Sequence, residues 1–419
     1  MDHQMLAGAV NPLALAEQAL GRPINLDKVV DATAVVEQAL QTPAAQLFDP
    51  QFRAAPYAMF GRVDAQASPT PGPAGPAAPV LRPDVVVRPG VLTAPRIDAR
   101  PLDATLRTSI ANITKLPDAA ANGLLTALAP TVELAANGTP WTPANVNWVD
   151  KGDFYEEGTE FADPVQGAVG DCYLVAALAS AAWARPYVIA QRTRATGPGQ
   201  QDFVDRIDYQ PVGGALQTFE VTERVPVDAA GGHFIYARSS EAGEVWPAVY
   251  EKAYARFRTG NTTDQPPYGP LHGGDPVRAC AEVVPGLTPQ YTSCATTSAD
   301  DLWQLVRANS LSMRTVHPMV AWTYATGDQS PAKITYDNAS GIAAWHAYSV
   351  LGWEFVNNTR YIVLRNPWGW FEGKVGVRAG TWSAFDVSWW RGTPLGTRGV
   401  FSMTAAEFKR YYRGIGVAK

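Results

Sequence analysis

The sequence predicts an α+β fold, and three observations carry that prediction. Gly170-Asp171-Cys172 opens a run in which Leu174, Val175, Leu178, Ala179 and Ala182 recur at helical spacing. The stretches 348–351 and 361–364 are short apolar or β-branched runs joined through a glycine and an Asn-Asn-Thr connection, which reads as a pair of strands. Apolar residues make up 46% of the 419, enough to build cores for roughly two or three domains.

Taken in chain order, residues 1–67 form a helical N-terminal segment. Apolar periodicity runs over 11–20 and 31–48, with Asn11-Pro12 and Asp31 as helix starts. Residues 68–103 are a Pro/Ala-rich linker, with nine prolines between 68 and 101 and almost no helix-compatible stretch. Helical character returns over 104–144, up to Pro140-Trp141. Two readings of 1–67 stay open: a segment that docks a partner, or a prosegment that is removed or held over a binding cleft.

Composition narrows the function classes. With 34 basic against 39 acidic side chains and no Lys/Arg cluster, nothing marks a nucleic-acid partner. Cysteines fall at 172, 280 and 294, with neither CxxC nor metal-site spacing, so Cys280 and Cys294 read first as buried free thiols, with a disulfide between them as the alternative. There is no membrane-spanning apolar run and no signal-peptide pattern. The default location is cytoplasmic, with signal-independent export open.

The chemistry concentrates in QGAVGDCYLVAALAS (166–180), WHAYSV (345–350) and LRNPWG (364–369). Cysteine attacks as thiolate, and a helix N-terminus favours that form. Asp171 is the expected N-cap, which puts Cys172 in the first turn. His346 is the candidate base that takes the thiol proton and later returns it. Asn366 is the candidate orienter of the ring. A hairpin of the two strand-like runs would bring His346 to Asn366. Gln166 carries an amide donor suited to an oxyanion hole, with the backbone N–H of Cys172 as the second donor.

These motifs resemble those of the calpain-type cysteine proteases, whose corresponding stretches read QGxLGDCWxLAAL, GHAYSV and RNPWG. Segments 218–240, 244–257, 272–274 (HGG, similar to the family's TGG) and 399–408 extend the likeness over about residues 150–415. The resemblance implies a papain-like two-lobed core: a helical lobe (145–284) with Cys172, and an antiparallel β lobe (285–417) with His346 and Asn366. It makes Trp368 a shield over the catalytic pair and places Gly273 and Gly274 along the substrate cleft. Trp345 stands where the family has glycine.

Calpain-type cores also bind two calcium ions. For the first site the resemblance implies Glu156 and Gly158 as carbonyl donors and Asp163 and Glu244 as carboxylates, though both acids read equally well as solvated side chains. At the second, Glu372 matches one ligand, but Arg398 and Val400 replace acidic residues and Phe161 replaces a linking arginine. The expectation is therefore no required cofactor, or a single calcium ion.

The expected function is endopeptidase cleavage of proteins or peptides through a Cys-His-Asn triad and an acyl-enzyme. One alternative is acyl transfer of the transglutaminase type, which typically pairs its histidine with Asp. Another is a catalytically dead calpain-like binding protein.

Overall fold

The computed structural model describes residues 146–155, 159–190, 193–195, 204–229, 232–337, 339–385 and 392–419. The readings made for 1–144, and for Glu156 and Gly158, lie outside these residues.

Strand β1 (Val146–Asp150) leads to helix α1 (Cys172–Ala184) and the short α2 (Pro186–Ala190). β2 (Thr193–Ala195), β3 (Val204–Tyr209) and β4 (Gln217–Thr222) form an antiparallel three-stranded sheet, and β5 (Arg224–Asp228) pairs back onto β1. Helix α3 (Trp246–Thr259) carries Pro247 in its first turn and stops at Gly260, whose φ of 67° favours glycine. Helix α4 (Pro276–Val283) starts at Asp275, whose carboxylate accepts from the N–H groups of Val277 and Arg278.

The second half is dominated by one sheet. Its elements are β6 (Pro289–Ser293), α5 (Ala299–Ala308), β7 (Ser310–Leu311), β8 (Arg314–Thr315), β9 (Met319–Thr323), β10 (Ala347–Val356) and β11 (Thr359–Arg365). There follow β12 (Val377–Arg378), β13 (Thr381–Trp382), β14 (Thr393–Pro394), β15 (Val400–Thr404), α6 (Ala405–Tyr411) and β16 (Tyr412–Ala418). The antiparallel sheet runs β12-β15-β11-β10-β9-β16-β6, with β7 and β8 attached beside β10. The mixed architecture is the expected α+β, papain-like one.

The predicted hairpin forms between β10 and β11. Asn357 and Asn358 both take positive φ, 50° and 59°, the turn geometry whose twist matches paired strands. The register sets Ser349 opposite Arg365, so His346 and Asn366 sit just beyond the same end of the hairpin.

Helix α1 departs from the one-sided stripe its sequence predicted: every residue from Cys172 to Trp183 is buried. A helix apolar on all sides must be enclosed. Here α4 covers one flank and β9 and β10 the other, so Cys172, Val320, Trp322 and Ala347 belong to one core. Side-chain bonds join the lobes along this helix. Ser180 Oγ donates to Met319 O (2.7 Å), Trp183 Nε1 to Leu351 O (2.7 Å) and Ser349 Oγ to Ala176 O (2.8 Å). Cys280 and Cys294 are free and buried, as expected.

Candidate active site

Gly170 and Asp171 turn the chain into α1. The carbonyl of Asp171 accepts from Leu174 N (2.8 Å) and Val175 N (3.1 Å). The expected side-chain cap is absent: the Asp171 carboxyl makes no bond to the helix and faces Glu251 instead. Cys172 is buried at the first helical position. Gly273, at φ 73°, donates its N–H to Gly170 O (2.8 Å), which ties HGG to the turn before the thiol. Gly274 lies so close to the Tyr173 ring that a Cβ would fall 2.5 Å from it.

His346 precedes β10, and its backbone is pinned to β9. Its N–H donates to Thr323 Oγ1 (2.9 Å) and its carbonyl accepts from Thr323 N (2.9 Å). Trp345 has φ 50°, a conformation costly for a bulky residue and natural for the glycine of calpain-type motifs. His346 Nε2 lies 2.8 Å from Asn366 Oδ1. Trp368 N donates to the same oxygen (3.0 Å), and Asn366 Nδ2 donates to Phe371 O (3.0 Å). Those bonds fix which end of the amide is oxygen, so His346 carries its proton on Nε2 and Nδ1 is the basic nitrogen. Trp368 lies over the imidazole at 4.5 Å between ring centroids. Burial pushes His346 down to about 3, against a smaller upward pull from Asn366.

Gln166 is fully buried. Its backbone N–H donates to Pro367 O (2.9 Å), one residue after Asn366, and its Nε2 donates to Val169 O (2.7 Å). The structure thus gathers Gln166, Cys172, His346, Asn366, Trp368 and Gly273 around the α1 N-terminus and the open end of the hairpin.

Asp163 and Glu244 are each 1% exposed, which overturns the reading of solvated carboxylates. Asp163 Oδ2 accepts from Trp246 Nε1 (2.9 Å) and Glu160 N (2.7 Å), while Oδ1 is buried with no hydrogen-bond partner. Burial, and then the like charge of Glu244, push Asp163 up to about 8. Glu160 and Glu241 bring two more carboxylates to Asp163, with ligand atoms within 4.8 Å of one another. This oxygen-only set with an orphaned buried oxygen fits a hard cation such as calcium. Sequence reading missed Glu160 and Glu241, because spacing does not reveal which acids a loop folds together.

The region expected for a second ion is built differently. Glu372 Oε1 accepts from Gly399 N (2.8 Å), and Val400 is buried within β15. Phe161 packs edge-on against Trp183 (4.8 Å), and both sit in an apolar cluster with Leu351, Val363 and Trp382 of the other lobe. Arg365, also missed, is buried and donates from Nη2 to Ala162 O (2.6 Å) across the lobe boundary.

A thiol at the N-terminus of a buried helix, facing a sheet that carries a His–Asn pair, defines the papain-like class of fold. Within it the chain belongs to the calpain family of cysteine proteases, whose family model matches residues 129–419. It is 30% identical over 224 residues to a thiol protease of Porphyromonas gingivalis, a stretch covering 49% of this chain and 43% of that protein. It is 28% identical over 241 residues to the mouse calpain-1 catalytic subunit, covering 56% of this chain and 31% of the subunit. Against the human calpain-2 catalytic subunit it is 26% identical over 264 residues, covering 61% and 35%. The matched region thus spans less than half the length of each of these relatives.

Proposed function

We propose that this chain is a calpain-like endopeptidase in which Cys172, His346 and Asn366 form the catalytic triad. The observation that carries the reading is the fixed His346–Asn366 pair, with basic Nδ1, beside the helix that begins at Cys172. In acylation His346 Nδ1 takes the Cys172 proton as sulfur attacks the scissile carbonyl carbon. The carbonyl π pair moves onto oxygen, which receives hydrogen bonds from the Gln166 amide and the Cys172 N–H. The intermediate collapses, the C–N bond breaks, and the imidazolium gives its proton to the departing amine. Water, deprotonated by His346, then attacks the thioester, and expulsion of sulfur with return of the proton to it frees the acid.

Asn366 orients the ring throughout. Trp368 keeps water from the His346–Asn366 bond, where low polarity strengthens it. Gly273 and Gly274 line the cleft beside the Cys172 turn, where a substrate backbone would pass. Protein or peptide chains are the substrates.

Asp163 and Glu244, with Glu160 and Glu241, would hold one calcium ion, which supplies charge compensation to buried carboxylates. The direct contacts along α1, the packing of Phe161 and Trp183 with Leu351 and Trp382, and Arg365 on Ala162 O join the lobes without a second ion. Activity therefore does not require calcium.

Casein hydrolysis by the full chain, with and without chelator and beside Cys172→Ala, tests this reading. Hydrolysis that survives chelation and is lost in the variant supports it. Steep two-ion dependence removes the calcium-independent part. A wild-type chain that incorporates amines into casein without cleaving it is an acyl transferase, and one that does neither is a binding protein.

A further inference from the structure

The mechanism above leaves unused a pair of carboxyls directly beneath the proposed nucleophile. Asp171 and Glu251 are both fully buried and face each other. No protein N–H or O–H donor reaches either carboxyl oxygen of Asp171, nor Glu251 Oε1. Glu251 Oε2 accepts from Ala237 N (2.9 Å). The pair has no salt bridge among the described residues, and the titratable groups around it are the phenols of Tyr173, Tyr236 and Tyr268 and the Cys172 thiol. Two ionised carboxylates in contact in such surroundings repel strongly, whereas one shared proton turns the contact into a short, charge-assisted bond.

The pair also sits where three segments meet. Asp171 is the residue before Cys172, and its carbonyl starts α1. Glu251 is held on α3. Through Ala237 N, Glu251 fixes the segment whose Ile235 carbonyl accepts from Ala168 N (2.9 Å), in the loop that carries Gln166. Gly167 in that loop lies against Tyr236 so closely that a Cβ would be 2.1 Å from its backbone.

We propose that Asp171 and Glu251 share one proton and act as a positioning pair, which sets the Cys172 turn relative to the Gln166 loop and fails when that proton is lost. The proposal rests on the assignment of Cys172 as nucleophile. Burial foremost raises both carboxyls well above their ordinary values, so the pair keeps a proton where lone carboxyls have lost theirs. As a coupled pair it titrates as a unit. Rising pH therefore ends in two like charges in contact, and the turn opens.

Glu251→Gln and Asp171→Asn replace the shared proton with an amide N–H that pH cannot remove. Each is expected to keep kcat/KM at neutral pH within about threefold of the wild type. The alkaline fall in kcat/KM, and in the rate of Cys172 alkylation by iodoacetamide, should move up by about one pH unit or more. Glu251→Ala, which strands Asp171 unpaired, should lose about tenfold or more in kcat/KM while keeping its circular dichroism. Profiles that superimpose on the wild type overturn the proposal, as does a fully active Glu251→Ala.

If the amide variants do not fold, infrared spectroscopy reads the pair directly. It is applied to Asp163→Asn, which removes another carboxyl held up near neutral pH. A protonated-carboxyl band at neutral pH is expected, and its absence overturns the shared proton. A wild-type chain without peptidase activity would count against the nucleophile assignment alone, since alkylation and infrared do not depend on turnover.

Discussion

Asn366 Oδ1 receives both the Nε2 proton of His346, at 2.8 Å, and the backbone N–H of Trp368, at 3.0 Å. The amide nitrogen is occupied by Phe371 O, so the side chain cannot flip without breaking three bonds. One asparagine thereby settles which imidazole nitrogen is basic. Replacing it with leucine removes the orienter and keeps most of the volume. For Asn366→Leu, kcat should fall about 100-fold with KM little changed. A variant with unaltered kcat would show that packing alone orients the ring.

Trp368 packs over the buried His346 ring, at 4.5 Å between centroids. With burial keeping His346 at about 3, against an ordinary 6.5, the folded chain binds this proton more weakly than the unfolded chain. Stability from this group is therefore complete above pH 6.5 and is lost as pH falls from 6.5 towards 3. Trp368→Ala admits water, so the imidazole proton signals of His346 should titrate much nearer the ordinary value. Loss of the buried indole should cost about 3 kcal/mol, read by denaturant unfolding.

Asp163 works in the opposite sense. Its folded value of about 8 lies above the ordinary 3.8, so its contribution to metal-free stability is complete below pH 3.8 and is lost as pH rises to 8. Calcium must displace that proton, so its affinity climbs over the same range. Thermal unfolding should show calcium raising Tm more at pH 8 than at pH 6. Asp163→Asn and Glu244→Gln should each abolish the effect; a calcium shift that persists in both places the ion elsewhere.

Gly399 has φ 80°, and a Cβ there would stand 2.6 Å from Asn366 O. Gly399→Ala combines backbone strain with pressure on the β11 end that carries the orienter. The variant should lose about 1–3 kcal/mol of stability and also activity, since the displaced residue is Asn366 itself. Destabilisation with full activity, compared well below the variant's Tm, would show that the strand end yields without moving the side chain.

What could be read from the sequence was chemistry written in short runs. Gly170-Asp171-Cys172 with its apolar spacing gave the helix and the thiol at its start, and Asn357-Asn358 between two apolar runs gave the hairpin that joins His346 to Asn366. These depend on local backbone preferences and on residue type, which neighbours in sequence carry. Side-chain partners across long separations were not readable. Asp171 was expected to cap α1, yet its carboxyl pairs with Glu251 on another helix. Asp163 and Glu244 read as well for solvent as for a metal, and packing around Trp246 and Ser239 decided that both are buried. The sequence by itself determined the family, the helix and the hairpin, and it supplied the residues proposed to react. The tertiary structure alone decided which carboxyls lie in the dry interior and what each faces, because burial and charge are properties of the surroundings that distant segments create.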